Sequence, residues 1–216
     1  MRTLLVAFFA LFCASQAYAA TNPGRLEFNV TRNGQPFGSH RVEVSQAGNE
    51  LIVRNVVALR ANVGPVTAFR YEHTCTERWR QGSLQGLQCQ TLKDGRRLRM
   101  SASTTATGIE TQGPQGVHRF PLTAAPTSWW TRQTLQATAF IDTETGASMP
   151  VSVTPMGRET ISVAGRSVVA DRFRVLGSIA LDVWYDQQGH WVRCAFTARG
   201  QRIEYQLTSP ISSAPS

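Results

Sequence analysis

Residues 25–30 read RLEFNV, and residues 202–207 read RIEYQL. In both stretches apolar and polar side chains alternate strictly, and a period of two is typical of a β-strand with one buried face. Residues 41–44, RVEV, repeat the same alternation. Because the pattern occurs near both ends of the chain and again between them, it predicts an all-β protein.

Turn signals separate such stretches along the whole chain. Each contains glycine or asparagine, which readily adopt the positive φ of a tight hairpin turn. The series predicts a single antiparallel meander of roughly eleven to thirteen strands, too many for a flat sheet. We expect a strongly curved sheet or half-barrel, with a closed barrel and two stacked sheets as alternatives. The signals are Asn33-Gly34, Gly48-Asn49, Gln81-Gly82, Asp94-Gly95, Gly113-Pro114, Gly157-Arg158, Gly165-Arg166 and Gln188-Gly189.

One segment, residues 126–135, departs from the alternation. It reads PTSWWTRQTL, in which a capping residue precedes helix-compatible spacing. This spacing predicts one or two helical turns that lie across the sheet, so that Trp129 and Trp130 plug its concave side. The alternative is a plain loop with one tryptophan in the core.

The start of the chain has the layout of a secretory signal. A positive start, an apolar run over residues 4–12 and the small-x-small sequence Ala17-Tyr18-Ala19 predict a signal peptide over residues 1–19. The apolar run is too short to span a bilayer. We expect a single β domain over residues 20–207, a disordered tail over residues 208–216, and a periplasmic or secreted location.

The chain is basic, with a formal net charge of +8, and Lys93 is its only lysine. Basic surfaces attract nucleic acid or anionic lipid. Export argues against nucleic acid as a partner. The arginines are spread along the chain, with one tight group at Arg96, Arg97 and Arg99, so we expect at most a peripheral contact with an anionic membrane surface.

Three cysteines remain after the predicted cleavage, and an oxidising compartment permits a disulfide. Cys75 and Cys89 flank a turn near Gln81-Gly82. A three-residue turn would place both on one face of the hairpin, whereas a two-residue turn would place them on opposite faces. The pairing stays open on this evidence. Cys194 is predicted to be a buried free thiol.

The sequence contains none of the familiar motifs for metal, nucleotide or nucleophile chemistry. No two of the four histidines have metal-ligand spacing, and there is no Cys-x-x-Cys and no Gly-x-Ser-x-Gly. We therefore predict no metal site and no cofactor, and no catalytic residue can be named.

The stretch from Val66 to Trp79 carries the candidate site. Its odd-numbered positions hold most of its aromatic residues, so that face should point inwards and carry a histidine and a glutamate with it. These two polar residues would anchor the polar head of a ligand, would be neutralised by partners in the core, or would act in catalysis with a shifted pKa. The predicted ligand-binding residues are Phe69, Tyr71, His73, Glu77, Trp79 and Trp130.

Four motifs together resemble an exported bacterial family with no assigned function. They are Arg70-Tyr71-x-His73-x-x-x-Glu77-x-Trp79-x-x-Gly82-x-Leu84, Pro126-Thr127-Ser128-x-Trp130, Trp184-Tyr185-Asp186-x-x-Gly189-x-Trp191 and Phe196-x-Ala198-Arg199-Gly200. Members of that family often have histidine where this chain has Trp129, so any role of that histidine is absent here. More distantly, the expected architecture is similar to the half-barrel of the LolA/LolB-type lipoprotein carriers, which bind acyl chains, and to that of a cofactor-free pigment-biosynthesis enzyme.

These observations lead to three hypotheses about function. The leading one is a periplasmic protein that binds or carries a hydrophobic or amphipathic ligand such as a lipid. The second is a cofactor-free enzyme that uses Glu77 or His73 as its acid or base. The third is a structural envelope protein whose core is filled by its own side chains.

Overall fold

The computed structural model describes residues 23–63, 66–209 and 212–213. The predicted signal peptide lies outside the described residues, as does most of the predicted tail. Within the described part of the chain, the protein is all-β, as predicted. No helix in these residues is long and apolar enough to cross a membrane.

The first half of the chain forms a run of eight strands. They are β1 (Pro23–Arg32), β2 (Gln35–Ala47), β3 (Glu50–Val63), β4 (Val66–Arg80), β5 (Ser83–Lys93), β6 (Arg96–Thr104), β7 (Ile109–Gly113) and β8 (Gly116–Phe120). Each strand pairs antiparallel with the next.

Residues 121–150 form a connecting segment between the two halves. It contains two short strands, β9 (Ala125–Pro126) and β10 (Phe140–Ile141), which pair in parallel. Between them lies one 3-10 helix, Arg132–Gln136, whose first turn is capped by the Thr131 side chain. The predicted helical segment near residues 126–135 is therefore only partly present, because the helix begins at Arg132, after both tryptophans.

The second half of the chain adds five antiparallel strands and a short final one. They are β11 (Val151–Val163), β12 (Arg166–Gly177), β13 (Leu181–Asp186), β14 (Trp191–Ala198), β15 (Gln201–Leu207) and β16 (Ser212–Ser213). Strand β15 pairs with β1, which joins the two runs into one sheet of thirteen consecutive strands, and β16 pairs with the start of β1. The predicted number of strands is confirmed. Over the described residues the sheet is not closed, and β8 and β11 form its two edges.

The sheet is strongly curved, as predicted. In the order of the sheet, β13 and β4 are six strands apart, which in a flat sheet would separate them by about 29 Å. Two adjacent residues of the connecting segment nevertheless contact both strands. The Trp129 carbonyl accepts a hydrogen bond from Tyr185 on β13, and the Trp130 indole donates one to Glu77 on β4.

Most of the predicted turns are confirmed, and one is wrong. Gln81 and Gly82 have φ values of 49° and 76°, the signature of a two-residue hairpin turn. Gly157 and Arg158 instead lie inside β11, where the register shifts between Pro155 and Gly157. The positive φ of Gly157 forms a bulge there rather than a turn, and an edge strand with a bulge and a proline is a poor template for further pairing.

Cys75 and Cys89 form a disulfide across β4 and β5. The turn between the strands has two residues, which in an ideal hairpin would place the cysteines on opposite faces. A register shift after Arg78 leaves one extra residue on β5, so that Arg78 pairs with Gly86 and Trp79 with Leu84. This bulge moves Cys89 directly opposite Cys75. Cys194 is a buried free thiol, as predicted.

Candidate functional site

A cavity of about 630 Å³ lies on the concave face of the sheet. It is in the size range of small-molecule sites. Strands from both halves of the chain form its wall, because the curvature brings β3 and β4 opposite β14 and β15. The apolar part of this wall includes Phe37, Val57, Leu59, Phe69, Phe196 and Ile203.

Three of the predicted site residues line this cavity. Phe69 stacks against Phe37, with 5.5 Å between the ring centroids. The Tyr71 hydroxyl donates a hydrogen bond of 3.0 Å to Glu144 in the connecting segment. The two aromatic residues therefore form a fixed wall, one through ring packing and the other through a hydrogen bond.

His73 is the third of these residues, and it is buried. Its Nδ1 lies 2.8 Å from Thr91 Oγ1, and its Nε2 lies 3.2 Å from the sulfur of Cys75. Burial lowers the pKa of His73, although Glu144 and Asp142 oppose this effect. The imidazole is thus neutral at physiological pH and held between strand partners.

The other three predicted residues, Glu77, Trp79 and Trp130, are not on the wall of the cavity. Glu77 does point to the concave side, as the alternation predicted. The two tryptophans cover it, and their indole nitrogens lie 2.8 Å and 3.1 Å from the same carboxylate oxygen. The tryptophans enclose this carboxyl within the protein, away from the cavity, and its role as an anchor for a ligand head stays a prediction.

The Glu77 carboxyl is completely buried and is surrounded by polar groups rather than by a cation. Asn55 donates a hydrogen bond of 2.8 Å to its second oxygen. The Ser128 hydroxyl also lies close enough to lower its pKa, but makes no hydrogen bond of ordinary geometry. Burial outweighs these groups and raises the pKa of Glu77 to about 7.

Sequence reasoning missed His40, which lines the cavity and lies at the end of this polar network. Its Nε2 is 3.4 Å from Asn55 Oδ1, so Asn55 links the cavity wall to the enclosed Glu77. Burial lowers the pKa of His40 to about 4, which keeps the imidazole neutral. The signal was present, since His40 continues the inward face of Val42 and Val44.

Trp129 and Trp130 form a tryptophan plug that is fixed from both halves of the sheet. Besides the bonds from Tyr185 and to Glu77, the Arg132 amide donates a hydrogen bond to the Gly189 carbonyl in the turn after β13. Asp186 stabilises that turn by accepting bonds from the amides of Gln188 and His190. Three of the sequence motifs thus meet at the plug.

The cavity reaches the surface at the ends of two hairpins. Lys93 and Asp94 lie at the turn between β5 and β6, and Arg199 lies at the turn between β14 and β15. Arg32, at the end of β1, is on the same rim, with its guanidinium carbon 5.4 Å from the centre of the Phe37 ring. None of these residues was predicted to belong to a site, because residues at hairpin turns have no alternation that would mark them as inward or outward.

The described residues bring one group of potential metal ligands together, His73, Cys75 and Cys89. The two cysteines are bonded to each other. A disulfide has no thiolate to offer a metal ion, so this group is not a metal site in the oxidised protein.

An open, strongly curved all-β sheet around an apolar cavity defines a barrel-like protein class. The chain belongs to the family described as domain of unknown function DUF6134, which matches residues 28–208. Its fold is similar to the crystal structure of a beta-barrel-like protein of domain of unknown function DUF1849 from Brucella abortus, with a TM-score of 0.62 and 9% sequence identity. That match covers 87% of this chain and 96% of the other. No functionally curated protein matches the chain.

Proposed function

We propose that this protein binds or carries an amphipathic ligand whose apolar part occupies the cavity. The observation that carries the proposal is the cavity itself, about 630 Å³ enclosed mainly by apolar side chains on the concave face. Apolar surface gains free energy when it leaves water, so such a wall favours a hydrocarbon chain. The predicted likeness to lipoprotein carriers points in the same direction but stays a prediction.

The cavity favours this proposal over a structural protein with a filled core. A filled core would leave spaces of only a few water volumes. The side chains around the cavity are held in place by their neighbours, as the stacking of Phe69 on Phe37 illustrates. Contacts within the protein therefore support the wall of the cavity.

Catalysis through Glu77 has less support than binding. Its raised pKa would suit a general acid, but Trp79 and Trp130 enclose the carboxyl, which does not line the cavity. A general acid must lie within hydrogen-bond distance of the reacting atom. His73 does reach the cavity, yet both of its nitrogens lie against Thr91 and Cys75.

We also propose that the protein works in the periplasm or outside the cell, close to an anionic membrane surface. The Cys75–Cys89 disulfide supports an oxidising compartment. Arg96, Arg97 and Arg99 are exposed, form no ion pair with a described residue, and follow the Asp94 turn at the rim of the cavity. The predicted signal peptide is tested by the mass of the envelope protein, which should begin at Ala20.

Native mass spectrometry of the mature protein, isolated from its own envelope without detergent, tests the main proposal. We expect an additional bound mass, and lipid extraction of the same sample should release it. Ala198→Trp places an indole on the exposed part of the cavity wall and should remove the bound mass. Ala106→Trp, on an exposed loop away from the cavity, is the matched control and should retain it. A bound mass that survives Ala198→Trp, or none in the wild type, would contradict the proposal.

A further inference from the structure

Two arginines at the rim of the cavity form no ion pair with any described residue. Arg32 is half-buried, and Arg199 is exposed at the tip of its hairpin. Both line the cavity. Their hairpins are neighbours, since the Asn33 amide donates a bond of 2.8 Å to the Arg202 carbonyl, and the Asn33 side chain donates one of 2.7 Å to Gln201. Two guanidinium groups are thus placed at one side of the opening.

These two arginines differ from the other arginines of the described chain. Most of those are paired with a carboxylate on the outer face, such as Arg172 and Arg174, which both bind Asp182. Of the arginines that lack such a pair, Arg32 and Arg199 are the two that line the cavity.

The acidic residues at the rim are already engaged. Glu144 lies 2.9 Å from the Lys93 ammonium and accepts the Tyr71 hydroxyl. Asp142 caps its own loop, accepting bonds from the Glu144 amide and the Thr145 hydroxyl. Asp94 accepts a bond of 3.2 Å from the Arg70 amide. Neutral donors of the protein thus occupy the two aspartates, whereas the guanidinium groups of Arg32 and Arg199 donate no side-chain hydrogen bond to a described residue.

We infer that Arg32 and Arg199 bind an anionic head group, so that the ligand is an anionic amphiphile with its chain inside and its head at the rim. The inference rests on the proposed function. A guanidinium offers a planar fork of donors that matches carboxylate and phosphate alike, so the structure defines this shared chemistry. The head group would thus bind at the opening rather than at His73 and Glu77, whose polar atoms already have partners inside the protein.

Displacement of the neutral fluorescent probe N-phenyl-1-naphthylamine from the mature protein tests this inference. The competitors share one chain length: hexadecanoate, hexadecyl phosphate, hexadecanol and hexadecyltrimethylammonium. We expect the two anions to compete about tenfold better than the alcohol, and the cation to compete least well. The ratio between the two anions distinguishes a carboxylate head from a phosphate head.

The double variant Arg32→Gln with Arg199→Gln should bring the anions down to the level of hexadecanol, while hexadecanol binding stays unchanged and reports correct folding. Arg166→Gln is the matched control, because Arg166 is exposed, forms no ion pair with a described residue and lies away from the cavity. Equal competition by all four compounds in the wild type, or an equal loss of anion binding in the control, would overturn the inference alone. If neither the probe nor any competitor binds, the proposed function itself is wrong, and the inference goes with it.

Discussion

The two ends of the inward face of β4 come from one uninterrupted strand but have different surroundings. At one end Phe69, Tyr71 and His73 form part of the cavity wall. At the other end Glu77 and Trp79 lie against the tryptophan plug. The difference comes from Trp130 of the connecting segment, which covers Glu77 and Trp79 but does not line the cavity at the other end of the strand. Alternation along a strand therefore identifies the face that points inwards but not what lies against it.

The largest effect should come from removing the plug. Trp130 is 4% exposed and donates a hydrogen bond to Glu77, so Trp130→Ala should lower the free energy of unfolding by about 3 to 5 kcal/mol. Phe69→Ala at the other end of β4 should lower the free energy of unfolding by about 1 kcal/mol. This loss is smaller because the Phe69 ring faces the cavity and is not packed on all sides. Urea unfolding of both variants measures the difference. Equal losses would mean that the two ends of β4 are not distinct.

The second prediction concerns the pH dependence contributed by Glu77. Because burial raises its pKa from 4.5 to about 7, the folded protein holds a proton that the unfolded chain releases. This proton contributes to the free energy of unfolding in full below pH 4.5, the pKa of the unfolded chain, and the contribution is lost as pH rises through about 7. Between pH 4 and pH 8, the free energy of unfolding of the wild type should fall by on the order of 3 kcal/mol relative to that of Glu77→Gln. Urea unfolding of both proteins at several pH values measures this difference.

The comparison with the variant is needed because histidines act in the opposite direction. Burial lowers the pKa of His40 from 6.5 to about 4, so its contribution to stability grows with pH over that interval. Both proteins contain His40 and His73, and the difference between their unfolding free energies isolates Glu77. A difference that does not change with pH would show that this carboxyl titrates normally.

A smaller effect should follow from Tyr71→Phe, which keeps the ring on the cavity wall and removes its hydrogen bond to Glu144. We expect a loss of about 1 kcal/mol in unfolding free energy, typical of one hydrogen bond. Binding of hexadecanol should be unchanged, since the apolar wall is intact. Calorimetry and probe displacement on the same sample measure the two quantities, and a larger effect on binding than on stability would contradict this assignment.

The fold could be predicted from the sequence because alternation and turn residues are local signals. RLEFNV and RIEYQL gave two strands and their buried faces, although not the pairing of β1 with β15, which depends on the curvature of the whole sheet. The Cys75–Cys89 bond could not be decided because the bulge on β5 has no signal in the turn itself.

For the site, the sequence predicted Phe69, Tyr71 and His73 on an inward face, where the structure places them on the cavity wall. It could not predict that Trp79 and Trp130 cover Glu77, since that contact joins residues 53 positions apart in the chain. Nor could it identify Arg32 and Arg199 at the rim, because their significance depends on the absence of an ion pair rather than on a motif.

A crystal structure of the mature protein with a terminally brominated fatty acid tests the central claim most directly. The anomalous signal of bromine locates the end of the fatty acid directly, even where the electron density of its hydrocarbon chain is weak. We expect the bromine inside the cavity among Val57, Trp129 and Trp191, with the carboxylate at the rim near Arg32 and Arg199. A bromine position outside the cavity, or no bound acid at saturating concentration, would contradict the account.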